Sequence, residues 1–152
     1  MRLTAKGFSL IELLVTVSLV GILAAIAIPN FSSTLQTNKA DTEVSDLQRA
    51  LNYARLEAIN RGVTVRVAPT AGADWGTELS VTQGSTQAVL RKVPALSSGA
   101  TLVAANVAAM EFNNLGGLTT PGAAVAMTYT RGSIIKTVNV CLTGRITSVG
   151  GC

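Results

Sequence analysis

Apolar and polar positions follow three successive rhythms along the chain. From Phe8 to Ile28 an apolar run of 21 residues is interrupted by one charge, Glu12. A bilayer core of ~30 Å needs about 20 such residues as helix, so the run is long enough to span. Farther on, Ala40, Val44, Leu47, Leu51, Ala54 and Ala58 recur at spacings of three and four, an amphipathic stripe. Asp46/Arg49 and Glu57/Arg61 stand at i,i+3 and i,i+4, where they form ion pairs on a solvated face. Gly62, directly after Arg61, is a helix stop. Pro29 has no N–H to donate and predicts a kink or interruption between the two stretches. The pattern predicts one long helix over residues 8–61, with residues 8–28 in lipid and residues 29–61 laying one stripe on a domain.

After Gly62 the period shortens to two. "VTVRVA" (63–68), "ELSVT" (78–82), "QAVLRKV" (87–93), "ATLVAA" (100–105), "MEF" (110–112), "AVAMTYT" (124–130) and "IIKTVNVC" (134–141) are short strand candidates. Gly, Pro, Asn and Ser segments such as "PTAGADWG" and "NNLGGLTTPGA" separate them. Residues 62–152 therefore predict an antiparallel sheet, or a pair of sheets, packed on the helix. Residues 40–152, 113 in all, are enough to bury one core.

Charge orients the first segment. Arg2 and Lys6 precede the apolar run and the next cation is Lys39, so the positive-inside rule puts Met1 in the cytoplasm and the bulk of the chain outside. A secretory signal is one alternative, with Ala25-Ile26-Ala27 imitating its cut site; its apolar region is shorter, about 7–15 residues, and carries no acid. An uncleaved anchor is another. Glu12 argues against both. A carboxylate near mid-bilayer costs about 2.5–3.5 kcal/mol, and such residues mark function. No Lys or Arg lies between residues 7 and 38 to neutralise it. A cut after Gly7 would supply a cation, the α-amino group of Phe8, whose reference pKa is about 7.7–8.0. In a helix Phe8 and Glu12 are i and i+4, so the amine can meet Glu12 in its own chain or in a neighbour.

"KGFSLIELL" resembles the signature of type IV pilins: a short basic leader, Gly7, Phe8 and a glutamate, Glu12, fifth in the mature chain. The resemblance implies a leader over residues 1–7, cleavage between Gly7 and Phe8 by a prepilin peptidase, and N-methylation of Phe8 by the same class of enzyme. It implies that Glu12 meets the Phe8 amine of a neighbouring subunit, and that Pro29 is the helix-kinking proline of the pilin fold. That fold is α+β: a long N-terminal helix packed on a C-terminal antiparallel β domain. "DLQRALNYARLEAINRGVTVRV" and "VNVCLTGRITS" resemble the minor pilins and pseudopilins of the GspH/FimT (FimU-like) type. The implied function is a minor pilin that primes or caps a type IV pilus. A minor pseudopilin of type II secretion is the rival. The implied location is the bacterial inner membrane, single pass, with a periplasmic domain that later enters the filament. The implied partners are membrane lipid and other minor and major pilins.

Cys141 and Cys152 are the only cysteines and enclose "LTGRITSVGG". In an oxidising compartment a disulfide is favoured, worth about 3 kcal/mol for so small a loop in the chain-entropy account. Residues 58–152 hold seven Lys/Arg against three acids, a balance of +4. DNA binding through Arg131, Lys136 and Arg145 is the competing function, as in relatives that act in DNA uptake. Thr147 stands where a second basic residue would strengthen the Gly144-Arg145 motif, and a solvated basic face is the preferred reading. Trp75, in "AGADWGTE", is assigned to capping the core rather than to anchoring a partner. The chain has no His. No Walker loop, HExxH or CxxC occurs, so neither enzyme activity nor a metal or cofactor is expected.

Overall fold

The computed structural model describes residues 7–148 and 150–152, leaving aside the side chains of residues 27–30; the leader expected over residues 1–7 lies, but for Gly7, outside them. The chain divides into two compact units, one ending at Asn38 and the other Lys39–Cys152. Helix α1 runs Leu10–Arg61. Pro29 therefore does not interrupt the helix, and the start lies two residues later than the periodicity predicts. The helix ends on Gly62 as expected. Gly62 has φ 66°. Its N–H bonds the Ile59 carbonyl at 3.3 Å and the Val63 N–H bonds that of Ala58 at 3.2 Å. Those two bonds are a Schellman cap, which needs a left-handed residue where glycine pays no steric penalty.

In the second unit the predicted stripe is the buried face of α1: Ala40, Val44, Leu47, Leu51, Ala54 and Ala58 are all buried, with Ala50 beside them. Both predicted ion pairs form on the other face, Arg49–Asp46 at 3.3 Å and Arg61–Glu57.

Among the described residues nine strands follow, in two antiparallel sheets. The first has the order β3-β2-β1-β5-β6, with β1 Val65–Pro69, β2 Leu79–Gln83, β3 Val89–Val93, β5 Met110–Phe112 and β6 Leu118–Thr120. The second has the order β4-β7-β8-β9, with β4 Ala100–Ala104, β7 Val125–Arg131, β8 Ile134–Val140 and β9 Ile146–Thr147. Alternation holds in β1 and β7: Val65 and Val67 in β1, and Val125, Met127 and Tyr129 in β7, are buried, with more exposed residues between them; β3 does not alternate, with Val89, Arg91 and Lys92 all exposed. The helix stripe and the inner positions of both sheets form one core. Trp75 belongs to it at 2% exposure, its indole N–H donating to the Val107 carbonyl at 2.6 Å.

β6 and β9 are strands where the period predicted loops. β6 lies in "NNLGGLTTPGA" and pairs only Glu111↔Thr120 and Phe112↔Leu118; β9 pairs only Asn139↔Thr147 and Val140↔Ile146. Runs of three and two residues hold too few alternations to display a period; pairing defines them, β6 with the equally short β5 and β9 with β8.

Cys141 and Cys152 are joined, with Cα atoms 5.2 Å apart, so the segment after β8 is tied back to that strand's end. Gly144, inside this loop, is buried against the β5–β6 turn. It has φ 77°, and a Cβ there would overlap the Gly116 carbonyl oxygen and stand 2.9 Å from Arg55 Nε.

Gly144→Ala should therefore lower unfolding stability by at least about 2 kcal/mol, since a backbone clash adds to the left-handed strain. Gly150→Ala is the control: φ is 80° but nothing lies within 4 Å. It should lose only about 1–2 kcal/mol. Equal losses in urea titrations of the two variants would remove the clash from the explanation.

Candidate functional site

Gly7, Phe8 and Ser9 precede the first turn of α1. Phe8 is 74% exposed. The first helical bond runs from the Leu13 N–H to the Ser9 carbonyl at 3.1 Å, which makes Ser9 the N-cap and Glu12 the third helical residue. Ser-x-x-Glu at those positions is the capping-box spacing, a signal present in the sequence and passed over by periodicity. A carboxylate there also faces the positive end of the helix dipole. With Phe8 outside the helix, Phe8 and Glu12 do not share a helical face as the i,i+4 spacing predicts. None of the six ion pairs among the described residues uses Glu12. From Leu10 to Ile26 the large apolar side chains of this helix are exposed. An apolar surface of that length needs lipid or other helices to cover it. It belongs to the one helix among the described residues long and apolar enough to cross a membrane.

The three basic residues proposed for DNA are not presented together. Arg131 is 6% exposed and its donors are consumed inside the domain. Its Nε bonds the Tyr129 hydroxyl at 2.9 Å, Nη1 the Ser98 carbonyl at 3.3 Å, and Nη2 reaches Glu43 Oε1 at 3.2 Å and the Ser97 hydroxyl. A phosphate cannot reach it without breaking that network. Lys136 pairs with Asp41 at 2.6 Å. Only Arg145 is exposed, its Nη2 donating to the Gly151 carbonyl at 3.0 Å.

Glu43 is the residue the pattern analysis missed. It lies on α1 one position before the stripe residue Val44 and looks there like an ordinary flank. Its Oε1 accepts from the Ser97 N–H at 3.0 Å and the Ser97 hydroxyl at 2.5 Å; its Oε2 accepts from the Tyr129 hydroxyl at 2.6 Å. Burial works to raise its pKa. The hydrogen bonds from Ser97, Tyr129 and Arg131 outweigh burial and lower it from 4.5 to about 2. Burial, then the bond to Glu43, raises the Tyr129 phenol. The cluster has the arrangement of a structural clasp: among the described residues no buried side-chain polar atom is left without a partner.

A helix that begins apolar and ends amphipathic, followed by an antiparallel two-sheet domain, is the type IV pilin fold. Solved structures with this fold include the type IV minor pilin FimU of Pseudomonas aeruginosa, 21% identical over 75% of this chain and 90% of that one, TM-score 0.67. The minor pseudopilin EpsH from the type 2 secretion system of Vibrio cholerae is 13% identical over 74% of this chain and 97% of that one, TM-score 0.56. Residues 43–144 match the family described as Type II transport protein GspH, and residues 2–28 match the prokaryotic N-terminal methylation motif. The chain belongs to the GspH family, and with it to the pilin-like subunits of the type IV pilus or type II secretion class. Among curated proteins, a fimbrial protein of Pseudomonas aeruginosa is 49% identical over 55 residues, 34% of this chain and 36% of that protein. The type IV major fimbrial protein FimA of Dichelobacter nodosus is 37% identical over 65 residues, 41% and 42% respectively. The chain thus spans well under half the length of the curated relatives it matches.

The Glu43 clasp gives a pH prediction. Its folded pKa is depressed, so its contribution is full above the unfolded value of 4.5 and is lost as pH falls towards about 2. Glu43→Gln should be less stable than wild type at pH 7 by on the order of 2–3 kcal/mol. The gap should narrow between pH 4.5 and 2 in parallel urea titrations. A gap independent of pH would show that the carboxylate charge is not what the clasp uses.

Proposed function

We propose that this chain is a minor pilin that helps to start, or caps, a type IV pilus assembled from the bacterial inner membrane. The observation that carries the reading is the exposed apolar stretch Leu10–Ile26 with its one carboxylate, Glu12, unpaired within the described chain. The stretch stores the subunit in the membrane with Met1 on the cytoplasmic side and Lys39–Cys152 in the periplasm. A prepilin peptidase cuts between Gly7 and Phe8, for which the non-helical Gly7–Ser9 segment offers an accessible backbone. Methylation of the new Phe8 amine retains its positive charge. Glu12 then meets the Phe8 amine of an adjacent subunit. A lone acid in lipid costs about 2.5–3.5 kcal/mol, and pairing across subunits relieves that penalty only on assembly. Pro29 supplies a bend by removing one helical hydrogen bond. The β domain supplies the contacts that distinguish this subunit from the bulk pilin.

The family match to a type II transport protein favours a second reading, a minor pseudopilin of type II secretion. Deleting the gene separates the two. Loss of surface filaments with secretion intact supports the first; loss of secretion with filaments intact supports the second.

Mass spectrometry of the protein from its host should show a chain beginning at methylated Phe8. Glu12→Gln should still be cleaved and inserted, while its amount in sheared filaments falls at least tenfold. An intact Met1 start, or wild-type levels of Glu12→Gln in filaments, would falsify the assembly reading.

A further inference from the structure

The β5–β6 turn holds a leucine out to solvent on a rigid mount. Asn113 Oδ1 accepts from the Leu115 N–H at 3.0 Å and the Gly117 N–H at 2.9 Å. The Asn113 N–H donates to the Gly117 carbonyl at 2.9 Å, and the Gly116 N–H to the Asn113 carbonyl at 2.8 Å. Arg55, from α1, clamps the turn from outside through Nε to the Gly116 carbonyl at 3.1 Å. Leu115, fixed in this way, is 82% exposed, the most exposed of the large apolar residues among those described. A floppy loop would be a poor anchor, because binding would have to order it; this turn is already ordered.

Its surroundings are apolar with a cationic edge. Ile59, 41% exposed, lies against the turn, its Cδ1 2.7 Å from where a Gly116 Cβ would stand. Leu142, 51% exposed, runs alongside, its carbonyl accepting from the Leu118 N–H at 2.9 Å. Arg55 and Arg145 flank these residues, Arg145 sharing a surface hollow with Leu142. Neither arginine takes part in any ion pair among the described residues.

We infer that the patch of Leu115, Ile59 and Leu142, flanked by Arg55 and Arg145, is a docking site for a different pilin-like subunit, one that offers an apolar pocket edged by carboxylates. The charge inventory argues against a second copy of this chain. Six of its eight acids already hold a cation of their own. Asp74 accepts from the Gly76 N–H at 2.8 Å, and Glu12 lies in the apolar helix. Outside the apolar helix, Asp74 is the one side-chain carboxylate among the described residues without a cation, short of what two unpaired arginines need. Single-stranded nucleic acid stacks on aromatic rings, and the patch has none. Three apolar side chains cover far less than the ~800 Å² per partner of a stable free complex. The contact therefore suits a partner already held nearby, which is why the inference rests on the filament-subunit reading for the partner's class. The apolar stretch of α1 provides that tether, and a high effective concentration makes a small contact sufficient.

The test is a photo-crosslinking residue placed at position 115 of the full chain in its host. The expected adduct joins a different pilin-like subunit through a peptide containing Asp or Glu. With the probe moved to position 142, Leu115→Asp and Arg145→Glu should each cut that adduct at least tenfold, Arg145→Lys should keep most of it, and melting temperatures should stay near wild type. An adduct with a second copy, an adduct with DNA, or no adduct overturns the docking site, even where the chain is found in filaments. A chain cleaved after Gly7 but absent from filaments and secretion machinery fails the functional reading instead; a crosslink to some other acid-edged protein would then uphold the patch alone.

Discussion

The carboxylate of Glu43 is held ionised under the edge of the second sheet, and much of the domain's arrangement follows from that one charge. A buried carboxylate is tolerated only where donors surround it. Here the donors come from three places in the chain: Ser97 before β4, Tyr129 in β7 and Arg131 at the end of β7. Apolar burial alone would let the helix stripe slide or rotate by small steps on the sheets. Directional bonds to Glu43 remove that freedom, because each requires its own distance and angle. Tyr129 is shared between both kinds of contact, its ring in the core and its hydroxyl in the clasp.

A second fixed point lies lower on the same helix. Arg55 bonds the Gly116 carbonyl, and Gly144 packs where no side chain fits. These bring the β5–β6 turn and the disulfide loop to one place on α1. The Gly144-Arg145 pair, which in sequence suggests a nucleic-acid motif, thus divides its work. The glycine is a packing requirement, while the arginine is left at the surface. Arg131 has the opposite fate: an arginine counted among candidate surface cations is interior and structural.

Much of this architecture was legible in the residues. The stripe Ala40 to Ala58, the stop at Gly62 and the inner faces of β1 and β7 follow from periods of 3.6 and 2, which depend on each residue's neighbours in sequence. β6 and β9 were not legible, because runs of three and two residues are too short to show a period, and only their pairing with β5 and β8 defines them. The Glu43–Arg131 pair spans 88 residues, and no local pattern joins the two. At the N-terminus the reverse held: Ser9-x-x-Glu12 is a local signal, and it was overlooked because the apolar run and the lone acid already explained the same residues. The family resemblance carried Gly7, Phe8 and Glu12 as sites on sequence motif alone.

Trp75 is the one tryptophan in the chain, and it is almost wholly enclosed by the core of Lys39–Cys152. Its intrinsic fluorescence is therefore a reporter with a restricted view. A red shift and quenching on unfolding register the opening of the second unit, whose own residues enclose the indole. One sample can thus follow the domain optically while a probe attached near Phe8 follows the membrane segment, with no need to cut the chain in two.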